Sequence, residues 1–207
     1  MLIVKENLML TRLLACTGLC LYAFGVAAVE GPLPAPTVEY SADRTMESDA
    51  GTFTGKVNFT KDKERAEMQM QGMSAITIKR RDKQLSWMLM PAQQMYMERT
   101  LREASEHMRD GPPEDVTISE VGKETLEGFE TTKYKLLMKD GSAGGFMWFT
   151  PEGIAMKMDL LQKQGNKKSR MTITLTNLKI EPQDPALFEV PAGYNRMPNI
   201  GKMMGMP

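Results

Sequence analysis

The sequence predicts a mainly β protein, a curled antiparallel sheet of about ten or eleven strands with one short amphipathic helix. Three observations predict it. Apolar and polar residues alternate with a period of two from Val38 onward, the pattern of half-buried strands. Short segments with turn chemistry separate the runs. One stretch alone switches to the helical period.

Taken in order, Phe53, Val57 and Phe59 alternate with Lys56 and Asn58, Met68 and Met70 with Glu67 and Gln69, and Ile76 and Ile78 with Thr77 and Lys79. Lys61-Asp62-Lys63, Arg80-Arg81-Asp82-Lys83 and Pro91-Ala92-Gln93-Gln94 supply the hairpin turns between such runs. Thr100 and Glu103 then have the spacing of a capping box, and Leu101, Ala104, Ser105 and Met108 recur at helical intervals before Gly111 and Pro112-Pro113. This spacing predicts a helix over 101–109, lying as a lid across the apolar face of the sheet through Leu101, Ala104 and Met108. His107 falls in its last turn, where a cation complements the helix dipole without any catalytic role.

The second half resumes the strand period. Tyr134, Leu136 and Met138 share one parity, as do Phe146, Trp148 and Thr150, then Met156, Met158 and Leu160, then Met171, Ile173 and Leu175. Asp140-Gly141 and Gln164-Gly165-Asn166 mark hairpins, and the Gly-rich stretch from Asp140 to Gly145 lacks the Lys-Ser/Thr ending of a phosphate loop. After Asn177 the phase slips, which predicts a bulge. Asp184 is placed to cap a short turn through Ala186 and Phe188.

The ends differ from the middle. Lys5 and Arg12 precede an apolar run from Leu13 to Val29, with Val26 and Ala28 at the −3 and −1 positions of a secretory signal cleaved after Ala28. The start codon is Met1 or Met9, and an uncleaved anchor is the alternative to cleavage. Cys16-centred lipid attachment fits less well, because the apolar run would follow the cysteine. Residues 29–37, with Pro32, Pro34 and Pro36, form a linker that lets a domain over 38–194 stand off from its N-terminus. Residues 195–207 form a mobile tail rich in Met, Gly and Pro.

Composition narrows the function. The 26 basic and 26 acidic residues balance, which argues against nucleic acid as a partner, and the single His removes multi-His metal sites and paired-imidazole mechanisms. Both cysteines lie in the signal, so thiol chemistry leaves with it. No motif marks an enzyme or calls for a cofactor.

The outlying number is 20 Met in 207 residues, including the pairs Met68/Met70, Met88/Met90, Met95/Met97, Met156/Met158 and Met204/Met206. Residues two apart on a strand share a face, so a preference for Met in the interior creates such pairs. Unbranched thioethers also re-pack around variable apolar guests. A single apolar concavity is therefore expected from Met68, Met70, Ile76, Ile78, Trp87, Leu89, Tyr134, Leu136, Phe146, Trp148, Met156, Met158, Ile173 and Leu175, with the helix as its lid. The alternative is Cu(I) binding or sensing through thioethers, chiefly Met203, Met204 and Met206 in the tail. An envelope interaction or stress-sensing module is a third reading.

The stretches from Arg65 to Met68, Ile76 to Asp82, Leu85 to Pro91 and Met95 to Glu98 resemble an uncharacterised exported bacterial family related to the outer-membrane lipoprotein carriers of the Lol system. Gly128 to Tyr134, Phe146 to Ile154 and Asp184 to Tyr194 continue the resemblance, which spans most of 38–194. It implies an incomplete half β-barrel whose lidded concave face holds acyl chains, in a periplasmic, monomeric, non-enzymatic binding or carrier protein. Its partners would be a lipid or an acylated protein, with transient contact with membrane components. The chain departs from the carriers at its start, where Gly31 to Glu47 is Pro-rich and then strand-like instead of helical, and the carriers' lid-locking Arg has no assignable counterpart.

Overall fold

The computed structural model describes residues 33–70, 72–107, 116–165 and 167–198. The predicted signal at 1–28 lies outside them, as do Met108 and the tail methionines Met203, Met204 and Met206.

The chain forms β1 (Tyr40–Ser48), β2 (Gly51–Thr60), β3 (Lys63–Met70), β4 (Met73–Arg80), β5 (Leu85–Met90) and β6 (Met95–Thr100), then α1 (Leu101–His107). There follow β7 (Val116–Leu126), β8 (Phe129–Met138), β9 (Ala143–Phe149), β10 (Ala155–Gln164), β11 (Lys167–Ile180) and β12 (Asn195–Arg196). They make one unclosed sheet in the order β12-β6-β5-β4-β3-β2-β1-β11-β10-β9-β8-β7. Among the described residues this is the expected mainly β architecture, an incomplete barrel with a single short α-helix. The count is twelve strands because Asn195 and Arg196, at the start of the expected tail, pair in parallel with β6. Two antiparallel meanders, β1 to β6 and β7 to β11, are welded by the β1–β11 ladder.

Local chemistry sets the turns. Two successive hairpins use a 3-10 turn closed by a left-handed glutamine, Gln84 at φ 55° and Gln94 at φ 51°. Between β8 and β9, Gly141 takes φ 68° while the Asp140 carboxylate accepts from the Ser142 N–H at 2.9 Å. The phase slip after Asn177 is a bulge: the β1–β11 register shifts there, and Asn177 sits at φ 51°.

The capping box forms as expected, with the Thr100 N–H donating to the Glu103 carboxylate at 2.9 Å and the Glu103 N–H to the Thr100 hydroxyl at 3.2 Å. The helix packs against β5 and β6, and the Leu101 N–H donates to the Gln84 carbonyl at 3.0 Å.

Residues 33–37 lie against the sheet, where the linker was expected to hold the domain away. The Thr37 N–H donates to the Glu152 carbonyl at 2.9 Å, and Leu33 packs beside Ile118, Met147 and Phe149. Gly153, at φ 85°, makes this possible: a Cβ there would sit 2.2 Å from the Ala35 carbonyl oxygen.

Burial concentrates in three clusters. Tyr40, Ala42, Val57, Phe59, Ile154, Met156 and Leu175 form the first, at the junction of the two meanders. Ile76, Ile78, Trp87 and Leu89 form the second with Phe188, which arrives from the segment after β11. Ile118, Leu136, Met147 and Phe149 form the third.

Candidate functional site: the methionine face of the sheet

Strand register decides which residues share a face. Met70 pairs with Met73 across the two-residue loop 71–72, so Met68 stands opposite Ala75, while Ile76 and Ile78 stand opposite Glu67 and Arg65. The register then carries Thr77 to Met88 and Ile78 to Trp87, and on to Met97 and Glu98 in β6. One face of β3–β6 therefore carries Met68, Met70, Met88, Met90, Met95 and Met97, with Ala75 and Thr77 among them. The other carries Ile76, Ile78, Trp87 and Leu89.

The same face continues around the sheet. Gly55 and Arg44 are cross-strand partners, as are Arg44 and Leu175, Met46 and Ile173, Met158 and Met147, and Met147 and Tyr134. Met138 joins it opposite Val116, two residues before Ile118 and its partner Leu136. Strand methionines from one edge region to the other thus lie on one face. Few of them fill the core: among the described side chains, Met147 and Met156, at 7% and 1% exposure, are the methionines that count among the buried hydrophobics. Met68, Met88, Met90, Met95 and Met97 are half-buried and belong to none of the three buried clusters.

The single concavity expected from fourteen residues is corrected by this register. Met68, Met70, Tyr134, Leu136, Met158, Ile173 and Leu175 do share the methionine face, and Met156 is buried within the first cluster at the β9–β10 irregularity. Ile76, Ile78, Trp87 and Leu89 lie on the opposite face, sealed by Phe188. Phe146 and Trp148 are there too, because their partners are Asp159 and Lys157 on one side and Lys135 and Lys133 on the other.

Both indoles on that opposite face are satisfied structurally. Trp87 donates to the Glu98 carboxylate at 3.0 Å under Arg80 and Lys83, and Trp148 donates to Glu124 at 2.8 Å under Lys133 and Lys157, whose ammonium groups lie 4.7 and 5.1 Å from the ring. The hydrogen bond from Lys133, then that from Trp148, holds the Glu124 carboxyl below its ordinary value. These aromatic rings are covered by the protein's own cations.

The opposite face of the first meander is closed by residues 183–194. The Asp184 carboxylate caps the turn at Pro185–Phe188 by accepting from the Ala186 N–H at 2.9 Å. Arg65 and Arg80 donate to the Leu187 and Phe188 carbonyls, both at 3.2 Å, and Asn58 donates to Gln183 at 2.8 Å. Arg80 also holds Asp82 and Glu189. This strap leaves the methionine face as the apolar surface of β3–β6 that no buried cluster seals.

Sequence reasoning missed Met88, Met90, Met95 and Met97 as lining residues. Both parities of Leu85–Met90 are apolar, so alternation is silent there; the two-residue loop 71–72 is the signal that selects the methionine parity. The lid residues Leu101 and Ala104 are half-buried in α1, beside β5 and β6. The methionine face also carries polar positions, with Glu64, Lys79, Ser86 and Arg99 in one row across β3–β6. Arg44 sits on it, half-buried beside the bare Gly55 and Leu175, and among the described residues it forms no ion pair.

Two depressions of about 320 and 380 Å³ are polar, lined by residues such as Asp43, Lys56 and Asn177 in the first and Asp159 and Arg170 in the second. Neither is an apolar chamber under the helix. No group of three or more His, Cys, Asp or Glu side chains able to hold a metal occurs among the described residues.

A single open twelve-stranded sheet with an apolar face and a strap on its back defines the class: an incomplete-barrel β protein. The chain belongs to the family described as a domain of unknown function (DUF4412), whose match covers residues 43–154, just over half its length. No curated protein is significantly similar to it.

Among solved structures it resembles an uncharacterized conserved protein from Thermus thermophilus, with a TM-score of 0.54 at 11% identity over 77% of this chain and 90% of that one. It also resembles MucB, with a TM-score of 0.51 at 13% identity over 76% of this chain and 58% of MucB, so it spans little more than half of that protein. A putative outer membrane lipoprotein-sorting protein domain from Vibrio parahaemolyticus is a looser neighbour, with a TM-score of 0.34 at 9% identity over 73% of this chain and 89% of that one. The expectation of an uncharacterised family is met, and a lipoprotein-sorting domain is among its structural neighbours.

Proposed function

We propose that this is a non-enzymatic periplasmic binding or carrier protein that lays an apolar ligand, such as the acyl chain of a lipid or lipoprotein, on its methionine face. One observation carries the reading: the strand methionines gather on one face and mostly remain half-exposed. Leaving apolar area in water forgoes about 25 cal/mol per Å², so an extended face of this kind is retained for contact. Thioether chains suit a guest of variable shape, because they change rotamer at little cost. Arg44, set within the face, offers a cation to an acidic headgroup. The described residues contain no helix long and apolar enough to cross a membrane, and an exported carrier needs none there.

Binding of a fluorescent apolar probe such as N-phenylnaphthylamine tests the reading. Met90→Lys places an ammonium on the methionine face, at the end of β5, and should weaken the probe roughly tenfold or more, the equivalent of about 1.4 kcal/mol. Trp148→Phe, on the opposite face, should leave it unchanged. Native mass spectrometry of protein taken from the periplasm should show co-purifying lipid. Absence of both lipid and probe binding in the intact protein overturns the proposal.

A further inference from the structure

The register brings two Met-x-Met motifs face to face. Met88 pairs directly with Met97 and Met90 with Met95 on the adjacent antiparallel strands β5 and β6. All four are half-buried on the methionine face. Directly opposed residues have Cβ atoms about 4.5–5.5 Å apart, and same-face neighbours along a strand lie roughly 6.5–7 Å apart. Four unbranched side chains, each with three rotatable bonds, rise from the corners of this small rectangle and can bring their sulfurs together above its centre. On β4 the neighbouring positions of the same face are Ala75 and Thr77, small residues that leave room beside them.

We infer that Met88, Met90, Met95 and Met97 form a thioether site for a soft monovalent cation, Cu(I) or its redox-inert analogue Ag(I). Neutral thioethers are poor donors to Mg²⁺, Ca²⁺ or Zn²⁺ and good ones to Cu(I), and the reach of four sulfurs suits three- or four-coordinate binding. The site goes beyond the apolar-ligand reading and does not depend on it. It also moves the soft-metal chemistry from the tail methionines to the sheet.

Titration of the intact protein with Ag(I), followed through ¹³C-labelled methionine methyl groups, tests it. Stoichiometric binding should shift the methyl signals of these four residues. Replacing all four by Leu keeps volume and apolarity, and metal binding should be lost. Replacing Met203, Met204 and Met206 by Leu in the full chain should leave the metal in place. No Ag(I) binding by the intact protein overturns the site, as do methyl shifts confined to other methionines or loss of binding in the tail variant. Where the four-Leu variant does not fold, the methyl shifts of the unaltered protein decide.

Discussion

Arg80 is the residue on which the back of the sheet turns. Its guanidinium is buried, donates to the Phe188 carbonyl, lies over the Trp87 ring and binds both Asp82 and Glu189. The hydrogen bond to Asp82, opposed by burial and aided by Glu189, raises its pKa further above the ordinary range. The same hydrogen bond lowers the Asp82 carboxyl to about 2. A carboxyl depressed in the folded state binds fewer protons there than in the unfolded chain, so its contribution is complete above the unfolded value near about 3.9 and fades as pH falls toward the folded one. Stability should therefore drop between about pH 4 and pH 2, and Asp82→Asn should flatten that part of the profile in chemical denaturation. An equal slope in the variant would remove Asp82 from this role. The sequence showed Arg80-Arg81-Asp82-Lys83 as a turn, and it is one; that Arg80 points inward was not legible, because the Phe188 carbonyl and Glu189 carboxylate that it meets lie more than a hundred residues away.

At the scale of elements, loop length governs the outcome. Most strands and hairpins, the capping box, the Asn177 bulge and the Asp184 cap were legible, since each rests on neighbours in sequence; β12 and the turn between β3 and β4 were not. Which face each strand shows was not, because a two-residue loop pairs positions of opposite parity and places Met68 with Ala75 instead of Ile76. The strap is the other decisive element. Phe188 is fully buried against Ile78 and Leu89, so Phe188→Ala should cost about 3–5 kcal/mol in urea denaturation. The loss should appear as exposure of the Trp87 side, with the methionine face unaltered. A variant of ordinary stability would mean that the strap is dispensable to the second cluster.

For the whole molecule, the two meanders depend on one long-range junction, the β1–β11 ladder with Tyr40, Phe59, Met156 and Leu175 buried around it. Burial pushes the Tyr40 hydroxyl's pKa up, with Glu64 adding to the effect. Strands at the centre of such a sheet open only by global unfolding, whereas edges open locally. Hydrogen exchange should therefore find the β1–β11 amides protected to the full unfolding free energy and those of β12 and the outer side of β7 exchanging early. Comparable protection at edge and centre would contradict the two-meander organisation.

The sequence by itself determined the strand class, the turn chemistry, the single capped helix and the methionine excess, because each depends on residues within a few positions of one another. Tertiary structure alone decided that the methionines form one half-exposed face while the tryptophans lie beneath cations on the other. That division follows from strand register and from a C-terminal strap that returns to seal the back of the first meander. Local periodicity can show that two faces differ, but only long-range partners decide where each is covered: the strap on the back of the first meander, and the first and third clusters on the methionine face itself.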